Sequence, residues 1–178
     1  SGKIESDKFD KTEAIIEITK DYPNYKAISI SGGIYLNSGA NQVQEVAYTL
    51  NSLICFIQIF TKKGIEVQNI FDNLQFELGI GSEYFIEIGK FRAFNSLLHI
   101  IAKKYDVKDF SFKLTARTSK WNKSVTDANT NMLRTTTEAM SAILGNVDGI
   151  MIDPYDKEFN KASDFSSRIA GNISTILK

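Results

Sequence analysis

The residues that most often announce chemistry are nearly missing from this chain. It carries one cysteine, Cys55, and one histidine, His99. A lone cysteine cannot close an internal disulfide, and no CxxC or Cys/His cluster suggests zinc or another metal. A lone histidine excludes any site built on two imidazoles. Only two prolines occur in 178 residues, which suits long helices. Charge of one sign is lacking too, because 21 Lys and Arg balance 21 Asp and Glu. A net charge of zero argues against bulk electrostatic binding to nucleic acid or to an anionic membrane. The longest apolar run, residues 53–60, is interrupted by Gln58 and falls short of the ~20 residues a bilayer crossing needs. No secretory leader is visible, Ser1-Gly2 reads as a cloning remnant, and a reducing, cytoplasmic compartment is the default.

What is present is a repeating alternation. Residues 7–21 read as a short amphipathic helix, with Ala14, Ile15, Ile18 and Phe9 at helical spacing and Pro23 as its stop. Residues 26–31 read as a strand, broken by Gly32-Gly33. After a loop through 37–41, Val43, Val46, Leu50, Leu53 and Ile57 mark a helix to about Lys63, stopped by Gly64. The cycle then recurs. Strand 74–78 breaks at Gly79-Ile80-Gly81, and Ser82 is the expected N-cap of a helix to Tyr105. Strand 110–116 precedes a helix over 127–144, and strand 149–153 precedes one over 164–177.

Four βα units, roughly 40 residues apart, imply parallel strands within a single domain spanning 1–178. Three of the strands keep one polar face: Ser29 and Ser31, Gln75 and Glu77, and Ser111, Lys113 and Thr115. Doubly covered parallel strands usually read as unbroken apolar runs. The polar face therefore lines a barrel lumen, with Glu77 and Lys113 as an expected ion pair, or is the open face of a doubly wound sheet.

Taken singly, the strand-end motifs are weak. Ser31-Gly32-Gly33 lacks both the GxGxxG spacing and the P-loop lysine and reads as a sharp turn. Gly79-Ile80-Gly81-Ser82 is able to present N–H groups to an anion, but glycines also serve ordinary strand-to-helix turns. Arg117 ends a strand, where it either holds a carboxylate or is structural. Asp153 and Asp156 flank a Pro-Tyr turn as an acid–base pair or as turn formers. His99 reads as a packed or surface residue and Cys55 as core filler.

Read together, several segments carry more. They are residues 28–32 (ISISG), Ser38-Gly39-Ala40 with residues 47–50 (AYTL), 78–81 leading to 85–88 (FIEI), and Arg92-Ala93. Thr118-Ser119 with Trp121, Arg134-Thr135-Thr136 with Glu138-Ala139-Met140, and residues 164–166 with 168–170 continue the series. In order and spacing, over nearly the whole chain, they resemble the barrel domain of methylmalonyl-CoA mutase, an adenosylcobalamin-dependent isomerase. The resemblance implies an α/β fold of parallel units, namely helix four and strands five to eight of a TIM-type (β/α)8 barrel. It also implies a native polypeptide that extends before Ser1, and a missing cobalamin-binding domain.

Position by position, the resemblance implies a lost active site. Ile34 stands where active mutases have the His that contacts the substrate carbonyl. Asn73 and Gln75 replace the Arg and Ser that hold the CoA portion, and Arg117 replaces a Gln beside the substrate. Lys120 replaces a Gly that lies against the corrin, and Lys157-Glu158 replace a Glu-Ala pair near the adenosyl group. This pattern matches the family's small, non-catalytic subunit, a pseudoenzyme that binds no cofactor itself and partners the catalytic large subunit. Adenosylcobalamin would then belong to the assembled enzyme. A fragment with two open sheet edges is expected to self-associate. Two other readings remain: an acyl-CoA-binding or mutase component in which Arg117 contacts a different acyl group, and an unrelated phosphate-binding α/β domain with a switch point in its sheet.

Overall fold

The computed structural model describes residues 6–19, 22, 24–159 and 161–177, with residues 6–10 described as backbone only. Ser1-Gly2, the expected stop at Pro23 and the side chain of Phe9 lie outside the described residues. Helix α1 (Ser6–Ile18) precedes strand β1 (Ile28–Ser31), followed by α2 (Gly33–Asn37) and α3 (Gln42–Lys62). Helix α4 (Val67–Asp72) leads into β2 (Leu74–Ile80) and α5 (Tyr84–Lys104). The chain finishes with β3 (Lys113–Thr118), α6 (Ala128–Leu144), β4 (Gly149–Met151) and α7 (Asp164–Ile176).

The four strands are all parallel and lie in chain order, β1-β2-β3-β4. A doubly wound sheet reverses its order at a switch point. No reversal occurs, so the open-sheet alternative is overturned. Crossovers between neighbouring parallel strands are right-handed almost without exception. A sequential order therefore puts the crossover helices between β1 and β4 on one side. Sequential parallel strands with their crossover helices on one face are the arrangement of half a (β/α)8 barrel.

Strand alternation separates the two faces. Ile28, Ile30, Leu74, Phe76, Leu78, Leu114 and Ala116 are buried in one cluster with Leu53, Ile57 and Phe60 of α3 and Phe91, Phe94 and Leu98 of α5. Each of the Ile, Leu and Phe side chains among them contributes about 1.5–3 kcal/mol by leaving water. Ser29, Gln75 and Lys113 share one register row on the opposite face; Ser31, Glu77 and Thr115 share the next. Lys113 thus stands across from Gln75. The expected Glu77–Lys113 pair does not form, and Glu77 instead accepts a hydrogen bond from Ser31 Oγ at 3.1 Å.

Several boundaries move for local reasons. Strand β2 continues through Gly79 and Ile80, because these residues pair with Arg117 and Thr118. The following turn therefore starts later, and Glu83 rather than Ser82 is the N-cap of α5, without a side-chain cap. Strand β3 begins three residues late. Phe110 and Phe112 lie before it, stacked on each other at 5.9 Å and set edge-on to Phe71 and Phe76. Strand β4 ends at Met151, because the Asp153 N–H leaves the ladder for Thr118 Oγ1 at 3.0 Å. Helices α2 and α4 span five and six residues, too short for a periodic signal.

Helix ends follow the expected chemistry more closely. Asn41 and Gln44 close a capping box at the start of α3, and Gly64 at φ 90° accepts the left-handed position beyond its end. Among the described residues, α3 alone is long and apolar enough by length and composition to cross a membrane. Its apolar stripe packs into the core through Leu50, Leu53, Ile57 and Phe60, as a core helix does. Cys55 lies off that stripe and is exposed, so it is not core filler.

Candidate functional site

Parallel strands deliver their ends to one rim, and ligands of such folds gather there. In this chain the rim is a cleft of about 200 Å³, lined among others by Ser31, Ile34, Glu77, Arg117, Lys120 and Asp153. Ile34 sits on α2, 58% exposed, and has no hydrogen-bonding side chain to offer. Asn37, one turn on, accepts the Lys120 N–H through Oδ1 at 2.8 Å and so ties α2 to the turn after β3.

Charge organises the cleft. Arg117 Nε and Nη2 donate to the two oxygens of Asp153, each at 3.1 Å, in the forked geometry that suits guanidinium and carboxylate. Lys157 Nζ donates to the same carboxylate at 2.7 Å. Burial pushes the Asp153 carboxyl up, but the hydrogen bonds from Arg117 and Lys157 outweigh it and hold the group below the ordinary aspartate range. The same bond with Asp153 raises the Arg117 guanidinium against the opposing effect of burial. At the outer lip, Lys120 Nζ lies 3.8 Å from Glu158.

The residues singled out from the sequence divide into two groups. Ile34, Arg117, Lys120, Lys157 and Glu158 gather around this rim. Asn73 and Gln75 do not join them. Gln75 pairs in register with Ser29 and Lys113, four residues below the Gly79–Arg117 row, or about 13 Å by strand rise. Asn73 caps the end of α4, its Nδ2 donating to the Asn69 carbonyl at 2.9 Å. His99 is far from the rim in the fold, exposed on α5 and tilted against Phe110. Among the described residues, no group of three or more His, Cys, Asp or Glu is placed to hold a metal ion.

Sequence reasoning missed the buried charges behind the rim. Glu45 accepts from the Gly79 N–H at 2.6 Å and from Lys90 Nζ at 2.7 Å, and Lys90 also donates to the Gly79 carbonyl at 2.6 Å. Glu87 Oε2 lies 2.5 Å from Lys90 as an ion pair yet has no aligned hydrogen bond. Burial raises the Glu45 carboxyl despite Lys90 beside it. On α6, Glu138 binds Lys123 and Asn122. At the opposite end of the sheet, Lys26 Nζ joins the Asp72 carbonyl to the carbonyl and hydroxyl of Ser111 at 2.7–3.0 Å. The signal for the first of these was available: Glu45 falls in phase with the apolar stripe Val46, Leu50, Leu53, where a solvated charge does not belong.

The chain is similar to known proteins over most of its length. A family model described as methylmalonyl-CoA mutase matches residues 6–178. The small subunit of methylmalonyl-CoA mutase from Porphyromonas gingivalis is 36% identical over 171 residues, which cover 94% of this chain and 28% of that protein. Methylmalonyl-CoA mutase of Escherichia coli is 32% identical over 159 residues, covering 88% of this chain and 22% of its own length. The large subunit from Streptomyces virginiae is 31% identical, with 88% and 22% covered. The chain thus spans under a third of the length of these relatives.

Proposed function

The chain belongs to the methylmalonyl-CoA mutase family, and on that footing we propose that it is a structural, non-catalytic portion of a mutase small subunit. In this reading its 178 residues act as one domain in the cytoplasm and support a catalytic large subunit. The assembled enzyme, carrying adenosylcobalamin, would interconvert methylmalonyl-CoA and succinyl-CoA.

The observation that carries the reading is the Arg117–Asp153–Lys157 network. In the family's active pattern, strand ends present free polar groups to a substrate. Here the rim's strongest cation is spent on an internal carboxylate, and Ile34 offers an alkyl group where a donor is needed. The residues do not fit adenosylcobalamin either. Lys120 brings a long cationic side chain to a place the family keeps bare, and it pairs with Glu158 across the lip. The small-subunit relative at 36% identity supports the same assignment. Using Arg117 for a different acyl group would require breaking its fork with Asp153 first.

Isothermal titration of the chain with adenosylcobalamin and with methylmalonyl-CoA tests the proposal. No heat of binding is expected from either, and micromolar binding of one would overturn it. The large-subunit partnership has its own test, co-elution of this chain with a mutase large subunit in size-exclusion chromatography. The two sheet edges, β1 and β4, also support self-association of the isolated chain, since unpaired strand edges recruit further strands.

A further inference from the structure

Helices α3 and α5 pack side by side, and between them an apolar groove of about 430 Å³ opens to solvent. Val43 and Ala47 line it from α3; Ile86, Gly89, Ala93 and Leu97 line it from α5. All six are exposed, Val43 at 77%, Ile86 at 53% and Leu97 at 40%. Among the described residues that line the groove only Lys90 is charged. Its ammonium is turned inward, 2.7 Å from Glu45 and 2.5 Å from Glu87. The groove therefore offers no charge to a nucleic acid or a lipid headgroup, and it fits an apolar protein surface.

Gly89 adds a second observation. It lies inside a 21-residue helix, where glycine is a weaker former than alanine, yet a Cβ there would meet nothing within 4 Å. Neither internal packing nor a left-handed backbone asks for glycine at this position. Along the exposed face of α5 the order is large, small, small, large: Ile86, Gly89, Ala93, Leu97. Such a stripe reads the same in both directions. It matches an antiparallel copy of itself, and self-complementarity of this kind is what a two-fold interface requires.

We propose that this groove is the face through which two copies of the chain pair, α5 against antiparallel α5, about a two-fold axis between Gly89 and Ala93. Ile86 of one copy then faces Leu97 of the second, and Gly89 faces Ala93. Small residues at the crossing let the helix axes approach to ~8 Å, the close end of the packed-helix range. Leu97 of the second copy enters the groove beside Val43, where α3 walls it.

The area suits a modest dimer. The six groove residues expose roughly 400 Å² per copy, so pairing two copies buries roughly 800 Å² from them alone. Phe85 and Ile100, 83% and 53% exposed, follow the same face of α5 at helical spacing. They bring the total to about the 1,000 Å² at which specific interfaces begin, which points to association in the micromolar range. The contact is separate from the sheet edges, because α5 follows β2 while the edges are β1 and β4.

Sedimentation equilibrium of the chain carrying Met151→Lys, which blunts pairing through the β4 edge, tests the proposal from about 1 to 200 μM. A monomer–dimer equilibrium is expected. Adding Gly89→Leu fills the crossing point and should weaken the dimer about tenfold or more. The same change should leave the thermal midpoint of the dilute chain unchanged or higher, because its Cβ meets open space. Ala93→Glu, which sets a charge at the crossing, is the second variant and should weaken the dimer likewise. A monomer across the whole range would overturn the proposal, as would an undiminished dimer in either folded variant. A chain monomeric by itself that binds a mutase large subunit, and loses it with Gly89→Leu, would give the face to that partner and overturn pairing of copies.

Discussion

Arg117 on β3 and Asp153 beyond β4 meet in a two-point clasp, both donor–acceptor distances 3.1 Å, directly over the strand ends. The pair is 36% and 13% exposed at its side chains, so solvent screens part of its attraction. Arg117→Met is expected to cost about 1 kcal/mol at pH 7. Asp153 titrates below its ordinary range in the folded chain, so its stabilisation is present at neutral pH and lost as pH falls through the folded value. The deficit of the variant should therefore shrink in acid, as urea unfolding at pH 7 and pH 3 would show.

Lys90 neutralises two buried carboxylates, and removing it strands both. Lys90→Met is expected to destabilise the chain by about 3–5 kcal/mol, because uncompensated buried charge costs more than a lost contact. Replacing Glu45, Glu87 and Lys90 together with apolar residues of like volume should recover most of that loss. A triple variant as unstable as the single one would show that packing, not charge, sets the cost.

The end of α6 sets two neighbouring residues in opposition. Gly145 has ordinary helical angles, but a Cβ there would sit 2.7 Å from Phe91 Cβ. Asn146 holds the left-handed position at φ 66°. Gly145→Ala should destabilise by about 1–3 kcal/mol through overpacking, whereas Asn146→Gly should be neutral or stabilise by up to about 1 kcal/mol. Thermal unfolding of the two variants gives the comparison.

Lys26 holds the lower end of the sheet by joining the Asp72 and Ser111 carbonyls. Lys26→Met leaves those acceptors facing an apolar side chain and should cost about 1–3 kcal/mol. Hydrogen exchange is expected to rise first in β1 and at Ser111, the segments it joins.

Self-association through the sheet edges makes a separate prediction. Met151 ends β4 on the outer edge, half exposed. Met151→Lys places a charge on that edge and should shift light scattering toward monomer without a large change in unfolding midpoint. An unchanged mass distribution would assign any association to another surface.

Much of this molecule was legible before folding. The spacing of Val46, Leu50, Leu53 and Ile57 marks α3, and the alternation of Leu74, Phe76 and Leu78 marks β2, because apolar side chains must share one face to leave water together. The repeated βα order, read with the family resemblance, anticipates the half-barrel. Where the reading slipped, the deciding partner lay far away in sequence. Lys113 falls beside Gln75 rather than Glu77 because interstrand register is set by the pairing of β2 with β3, which neither strand's own sequence encodes. Cys55 looked buried inside an apolar run, yet helical rotation turns it to solvent.

The rim shows the same division most clearly. Sequence by itself determined which residues stand around the strand ends: Ile34 without a donor, Arg117 and Lys120. It also set the chain's even charge and the polar alternation along the lumen face. Only the tertiary structure decided what those residues do to one another. Arg117 finds Asp153 across 36 positions of chain, and Gly79 finds Glu45 across 34. Such contacts arise from strand register and helix packing, and their strength depends on burial that no local pattern encodes. Two acidic side chains alike in sequence, Glu87 and exposed Glu83, therefore meet opposite surroundings. The chemistry of a charge is set by how much water the fold leaves it.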